Sequence, residues 1–86
     1  AENYGHLGEL YSSISNPRKA LFYFDKCIAA EPRNAAHYAR RADVECDLWL
    51  YDDALEDCKI SLSLDKTNEK ALKYRRIAEE ELANAK

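Results

Sequence analysis

The sequence predicts an all-α fold, in which two helix-turn-helix repeats stack on one another and a C-terminal helix caps the open end. Three observations predict it. The first is self-similarity at a constant offset: Tyr4 and Tyr38, Ala20 and Ala54, Leu21 and Leu55, and Asn34 and Asn68 are each 34 residues apart, a period that corresponds to one helix-turn-helix unit. Conservative pairs keep the same offset, among them Gly8 with Ala42, Leu10 with Val44, Ile28 with Leu62 and Glu31 with Asp65. The second is that apolar residues recur at helical spacing within each unit. The third is composition: 47% hydrophobic and 34% charged residues with only two glycines and two prolines in 86 residues is the balance of a helical globular chain.

The elements follow in order, within one domain. Residues 1–34 form the first repeat, where Tyr4, Leu7, Gly8 and Tyr11 make one stripe and Ala20, Leu21, Phe24, Cys27 and Ile28 make the next. Between them Asn16 reads as an N-cap with Pro17 at the first helical position, where its missing N–H costs nothing. Pro32 stops the second helix near Glu31. Residues 35–68 repeat the plan with Tyr38, Ala42 and Leu48, then Ala54, Leu55, Cys58 and Leu62. Residues 69–86 supply the capping helix, an amphipathic stretch from Glu69 to Ala85 with Ala71, Leu72, Ala78 and Leu82 expected on one side. Two glycines inside a helix, Gly5 and Gly8, each cost about 1 kcal/mol against alanine, so close packing is expected at one or both.

Several function classes are disfavoured by the same residues. No apolar run approaches the ~20 residues that span a bilayer, and no basic start precedes an apolar segment and cleavage site; the expectation is an intracellular, cytoplasmic chain without a membrane partner. Beginning at Ala1 with no methionine, the sequence reads as a piece of something longer. Cys27, Cys46 and Cys58 lack the CxxC spacing of zinc or redox sites and read as buried thiols. His6 and His37 have no ligand-spaced cysteine and no serine-acid arrangement beside them, and the glycines form no phosphate-binding loop. Catalytic, metal and cofactor residues are therefore expected to be none. A net charge of -3 opposes nucleic acid, although Arg40, Arg41, Arg75 and Arg76 could make a local patch, with Arg41 placed nearer the helix interface. The Glu79-Glu80-Glu81 run reads as a solvated face.

Tyr4, Leu7, Gly8, Tyr11, Ala20, Phe24 and Pro32, with Cys27 in place of a small alanine, resemble in order and spacing the tetratricopeptide repeat pattern. The second unit keeps Tyr38, Ala42 and Ala54 and departs at Arg41, Glu45, Cys58, Ser61 and Lys66. The resemblance covers nearly the whole chain. It implies a right-handed stack in which Gly8, Ala20 and Ala42 let paired helices approach closely. It also implies a non-catalytic protein-binding function, an adaptor or scaffold whose concave groove receives a peptide or amphipathic helix. The first helices would line that groove with Glu2, Gly5, His6, Glu9 and Ser12, then Ala39, Arg40, Asp43, Cys46 and Asp47, and the last helix would add Lys70, Lys73 and Tyr74. Such a groove is acidic on the repeat helices and basic at its C-terminal end.

The segments ALEDCKISLSLD and TNEKALKYRR resemble the co-chaperone members of the family, which hold acidic chaperone tails in a clamp of lysine, asparagine and arginine side chains. Here Gly5, Glu9, Arg40 and Tyr74 stand at four of the five clamp positions and only Lys70 matches. An intact clamp is not expected, because an acid beside a ligand carboxylate repels it; a chaperone tail is disfavoured as partner, although Arg40, Lys70, Lys73 and Arg75 could form a smaller basic site. A ligand that is apolar or basic where it meets Glu9, Asp43 and Asp47 is the expectation. Two readings stand for Leu48-Trp49-Leu50-Tyr51: Leu48 and Tyr51 pack inside while Trp49 covers the hinge, or Trp49 is an exposed aromatic anchor. A structural segment of a longer helical solenoid, or a self-associating domain, is the alternative function.

Overall fold

The computed structural model describes residues 16–85 of the chain. Within them lie four helices: α1 (Pro17–Ala30), α2 (Ala35–Asp47), α3 (Tyr51–Leu64) and α4 (Glu69–Asn84). Three of the four begin on an asparagine. Asn16 Oδ1 accepts the Lys19 N–H at 3.4 Å, Asn34 Oδ1 that of Ala36 at 3.0 Å, and Asn68 Oδ1 that of Ala71 at 2.9 Å, each satisfying a donor that a helix start leaves unpaired. Pro17 stands in the first turn of α1, and the helix closes at Glu31, whose N–H reaches the Cys27 carbonyl at 2.8 Å. The turns before α2 and α4 are built alike, Asn34 N–H bonding Glu31 and Asn68 N–H bonding Asp65, so the offset of 34 is a repeat of backbone geometry as well as of residues.

The turn between α2 and α3 differs. Trp49 N–H bonds the Cys46 carbonyl at 3.1 Å and Leu50 N–H the Glu45 carbonyl at 2.8 Å, the paired bonds of a Schellman helix end. Trp49 takes the left-handed position of that motif at φ 62°, where glycine is usual. Leu50 then begins α3 without a side-chain cap; Asp52 and Asp53 in its first turn favour the positive end of the helix dipole.

Helix α2 is the hub, packed against α1, α3 and α4, while α3 also packs on α4. Towards α1 it turns Val44 and Leu48 into a cluster with Ala20, Phe24, Cys27 and Leu21. Towards α3 and α4 it turns Ala42 and Cys46 into a second cluster with Ala54, Cys58, Ala78, Tyr51, Leu55, Tyr74 and Ile77. Alanines 20, 42, 54, 71 and 78 are wholly buried, and absent side chains at these crossings let the helices approach closely enough to interlock. Cys58 and Ser61 stand in the second unit where Phe24 and Cys27 stand in the first. The smaller Ser61 is buried because its hydroxyl donates to the Ala35 carbonyl at 2.8 Å, which repays its desolvation.

Two expectations are corrected. Leu72 is 40% exposed: the buried face of α4 is set by Ala71, Tyr74 and Ala78, and Leu72 lies about 100° of helix rotation away. Leu48 and Tyr51 do pack against the core, but Trp49 does not cover the hinge, being 80% exposed, because the left-handed turn throws its side chain outwards.

Candidate functional site

Helices α2 and α4 lie side by side and together form the face on which candidate binding residues gather. Arg40, Asp43 and Asp47 recur along α2 at spacings of three and four, and Lys70, Tyr74, Ile77 and Glu81 along α4 at four, three and four, so each set forms one stripe. The stripes meet at Asp43. Its carboxylate lies 3.8 Å from Lys70 Nζ and also faces the Tyr74 hydroxyl; burial first, then this hydrogen bond, push the Tyr74 phenol up to about 12. Lys73 Nζ sits 5.3 Å from the centre of the Tyr74 ring, a cation–π approach.

The charge on this face changes along the helices. Arg40, Lys70 and Lys73 stand towards their N-terminal ends, Asp47 and Glu81 towards their C-terminal ends. Partial burial and the neighbouring Asp43 raise the Asp47 carboxyl above its usual range. Glu81 acts at the same end, its charge adding to the burial that holds the Cys46 thiol up at about 11 and the Tyr51 phenol above its ordinary value. Glu81 is the residue that sequence reasoning missed, since the glutamate run conceals that 81 continues the 70, 74, 77 spacing.

Of the groove residues expected from sequence, Arg40, Asp43, Asp47, Lys70, Lys73 and Tyr74 are at least partly exposed. Ala39 and Cys46 are buried and present almost nothing to a partner: Cys46 faces the α3–α4 cluster, and a methyl group sealed by neighbouring helices cannot reach outwards. Glu2, Gly5, His6, Glu9 and Ser12, together with Gly8, lie outside the described residues.

Behind the face runs a polar network that is buried at Asp57 and Glu45 and reaches the surface at Asp25. Arg41 donates twice to Asp57, from Nε at 2.8 Å and from a terminal nitrogen at 2.6 Å, and once to Asp25 at 3.0 Å, tying α1, α2 and α3 together. Glu45 lies in the same pocket, and burial, then the hydrogen bond and charge of Asp57, drive its carboxyl far above the ordinary glutamate range. Burial beside Asp57 thus favours the neutral form of Glu45, whose Oε1 is buried without a hydrogen-bond partner. Arg41 is thus committed to the helix interface and takes no part in a surface arginine patch. His37 is also interior, with Nε2 and Glu31 Oε1 at 2.7 Å. Among the described residues no group of histidine, cysteine and acidic side chains could hold a metal ion, and no helix is long and apolar enough to cross a membrane.

No family model matches the chain. A curated relative, the translocon at the outer membrane of chloroplasts 64 of Pisum sativum, is 36% identical over 65 residues, which is 76% of this chain. The chain spans only 11% of that relative's length. Among solved structures, the Arabidopsis OM64 TPR domain superposes with a TM-score of 0.92 at 27% identity, covering 94% of this chain and 67% of its own. The second TPR of Spaghetti (RPAP3) bound to the HSP90 peptide SRMEEVD gives 0.91 at 26%, covering 94% and 75%. The second TPR domain of human RPAP3 in complex with the HSP70 peptide SGPTIEEVD gives 0.88 at 26%, covering 94% and 68%. With these likenesses and a 34-residue pattern that recurs in residues and backbone alike, the chain has the all-α, helical-repeat fold of tetratricopeptide repeat domains.

Proposed function

We propose that the chain is a non-catalytic protein-interaction module that receives a peptide or amphipathic helix along the α2–α4 face, within a larger adaptor or co-chaperone-like protein of the cytoplasm. The solved relatives that hold chaperone peptides support a protein partner. Three free, buried cysteines fit a reducing compartment. The observation that carries the ligand preference is the Asp43 carboxylate lying against Lys70 and Tyr74. The peptides in those relatives end in Glu-Glu-Val-Asp, and a tail carboxylate arriving here would have to displace Asp43 from the lysine it needs. The face therefore disfavours an acidic tail and accepts a ligand that is basic or apolar where it meets Asp43, Asp47 and Glu81.

Reversing both aspartates, Asp43→Lys with Asp47→Lys, should weaken a leucine-and-arginine amphipathic peptide by about tenfold or more, since like charges across an interface cost several kcal/mol. Isothermal titration at physiological salt reads this, and an unchanged affinity contradicts the proposal. A second reading, a solenoid segment or self-associating surface, is favoured by one feature: an open depression of about 490 Å³ on α4, lined by Glu69, Leu72, Lys73, Arg76 and Ile77. A mass that rises with concentration, lost in Leu72→Glu, would support it.

A further inference from the structure

The α2–α3 turn displays an exposed aromatic side chain in a backbone conformation that ordinarily favours glycine. Trp49 occupies the left-handed position of the helix end, where a residue with a Cβ is disfavoured relative to glycine. Its side chain is 80% exposed and the adjoining Leu50 41% exposed. The other large exposed apolar side chains among the described residues stand apart from one another in the sequence, and Phe22 has neighbours of its own, Tyr23 edge-on at 5.3 Å and Lys26 Nζ at 5.2 Å. Among the described residues, only at 49 and 50 do two large exposed apolar side chains adjoin in sequence.

The charge around this pair is of one sign. No lysine or arginine occurs between Arg41 and Lys59, whereas Asp47 precedes the pair and Asp52 and Asp53 follow it, all three exposed. An exposed indole flanked in sequence by exposed carboxylates is suited to a cationic side chain: the ring quadrupole attracts the cation and carboxylates accept its hydrogen bonds. The same carboxylates repel anionic lipid and nucleic acid.

We infer that the Trp49-Leu50 tip is a docking point for an arginine-bearing, apolar segment of a partner protein, with an arginine of the partner stacking on Trp49 between Asp47 and Asp52. This does not require the α2–α4 face to bind anything: Trp49, Leu50 and Asp52 lie outside that face, and Asp47 alone is shared with it. Trp49 is the chain's one tryptophan, so its fluorescence reports the tip and not the face.

The test titrates the whole chain with a synthetic amphipathic peptide of leucines flanked by arginines, against the same peptide with glutamates for arginines. The expected result is a shift of Trp49 emission to shorter wavelength with the arginine peptide only. Trp49→Gly should bind it about tenfold or more weakly, and since glycine suits a positive φ, this variant should melt at or above the parent temperature. Trp49→Asn, also tolerated in a left-handed turn, repeats the binding test should the glycine variant fold poorly. Unchanged emission, an equal response to the glutamate peptide, or full affinity in Trp49→Asn would overturn the inference. So would an emission shift with phosphatidylserine vesicles, or one that follows protein concentration alone and marks a second copy as the occupant.

Discussion

Glu45 shows how a residue that breaks the repeat pattern is made tolerable. It is 7% exposed, and burial beside Asp57 favours its protonated form, which relieves the like-charge contact next to the Arg41–Asp57 pair. The folded chain keeps this proton at pH values where the unfolded chain has lost it. The resulting stabilisation is thus complete below the ordinary glutamate range and is lost as pH rises towards the elevated folded value. Glu45→Gln retains the donor without the titration. Urea unfolding at about pH 5.5 and about pH 8.5 should show the parent losing several kcal/mol more than the variant, up to about 4 kcal/mol if the folded state holds the proton across the whole interval; equal losses would mean that Glu45 is ionised in the fold. Arg41 and Glu45 are visible in the sequence as charged intruders at pattern positions. Their partner is not, because Asp57 lies 16 residues from Arg41 and reads as one more acid on α3.

At the scale of elements, legibility follows the caps. Asn16, Asn34 and Asn68 mark three helix starts because a side-chain acceptor at an N-cap is a local interaction, readable without tertiary context. The start of α3 has no such cap, and its turn rests on a tryptophan in a glycine position, which propensity alone does not anticipate. The face of α4 was half legible: Ala71 and Ala78 are where the pattern puts them, but Leu72 faces outwards and Tyr74 and Ile77 do the packing. Replacing Asn68 by alanine should cost about 1 kcal/mol, and Asn34→Ala a similar amount. Chemical denaturation checks both. A loss of less than a few tenths of a kcal/mol in either would show that its side-chain bond contributes little to fixing the register between helices.

For the whole molecule, a constant offset in the sequence becomes a stack in which α2 touches every other described helix, so its outward stripe and that of α4 are held rigidly side by side. The stripes themselves were readable from spacing once the repeat was recognised. What spacing could not convey was depth, which hides Ala39 and Cys46 while leaving Arg40 and Asp47 reachable, nor the pairing of Asp43 with Lys70, which depends on how two helices separated by residues 48–68 lie together. The account's central claim is that a basic or apolar ligand is received along this face. The most direct test is backbone amide chemical-shift mapping of the isotope-labelled chain during titration with the leucine-and-arginine peptide. The account predicts a continuous track through Arg40, Asp43, Asp47, Lys70, Tyr74 and Glu81. Perturbations confined to the outer faces of α1 and α3, or a stronger response along the same track to an acidic-tailed peptide, would contradict it.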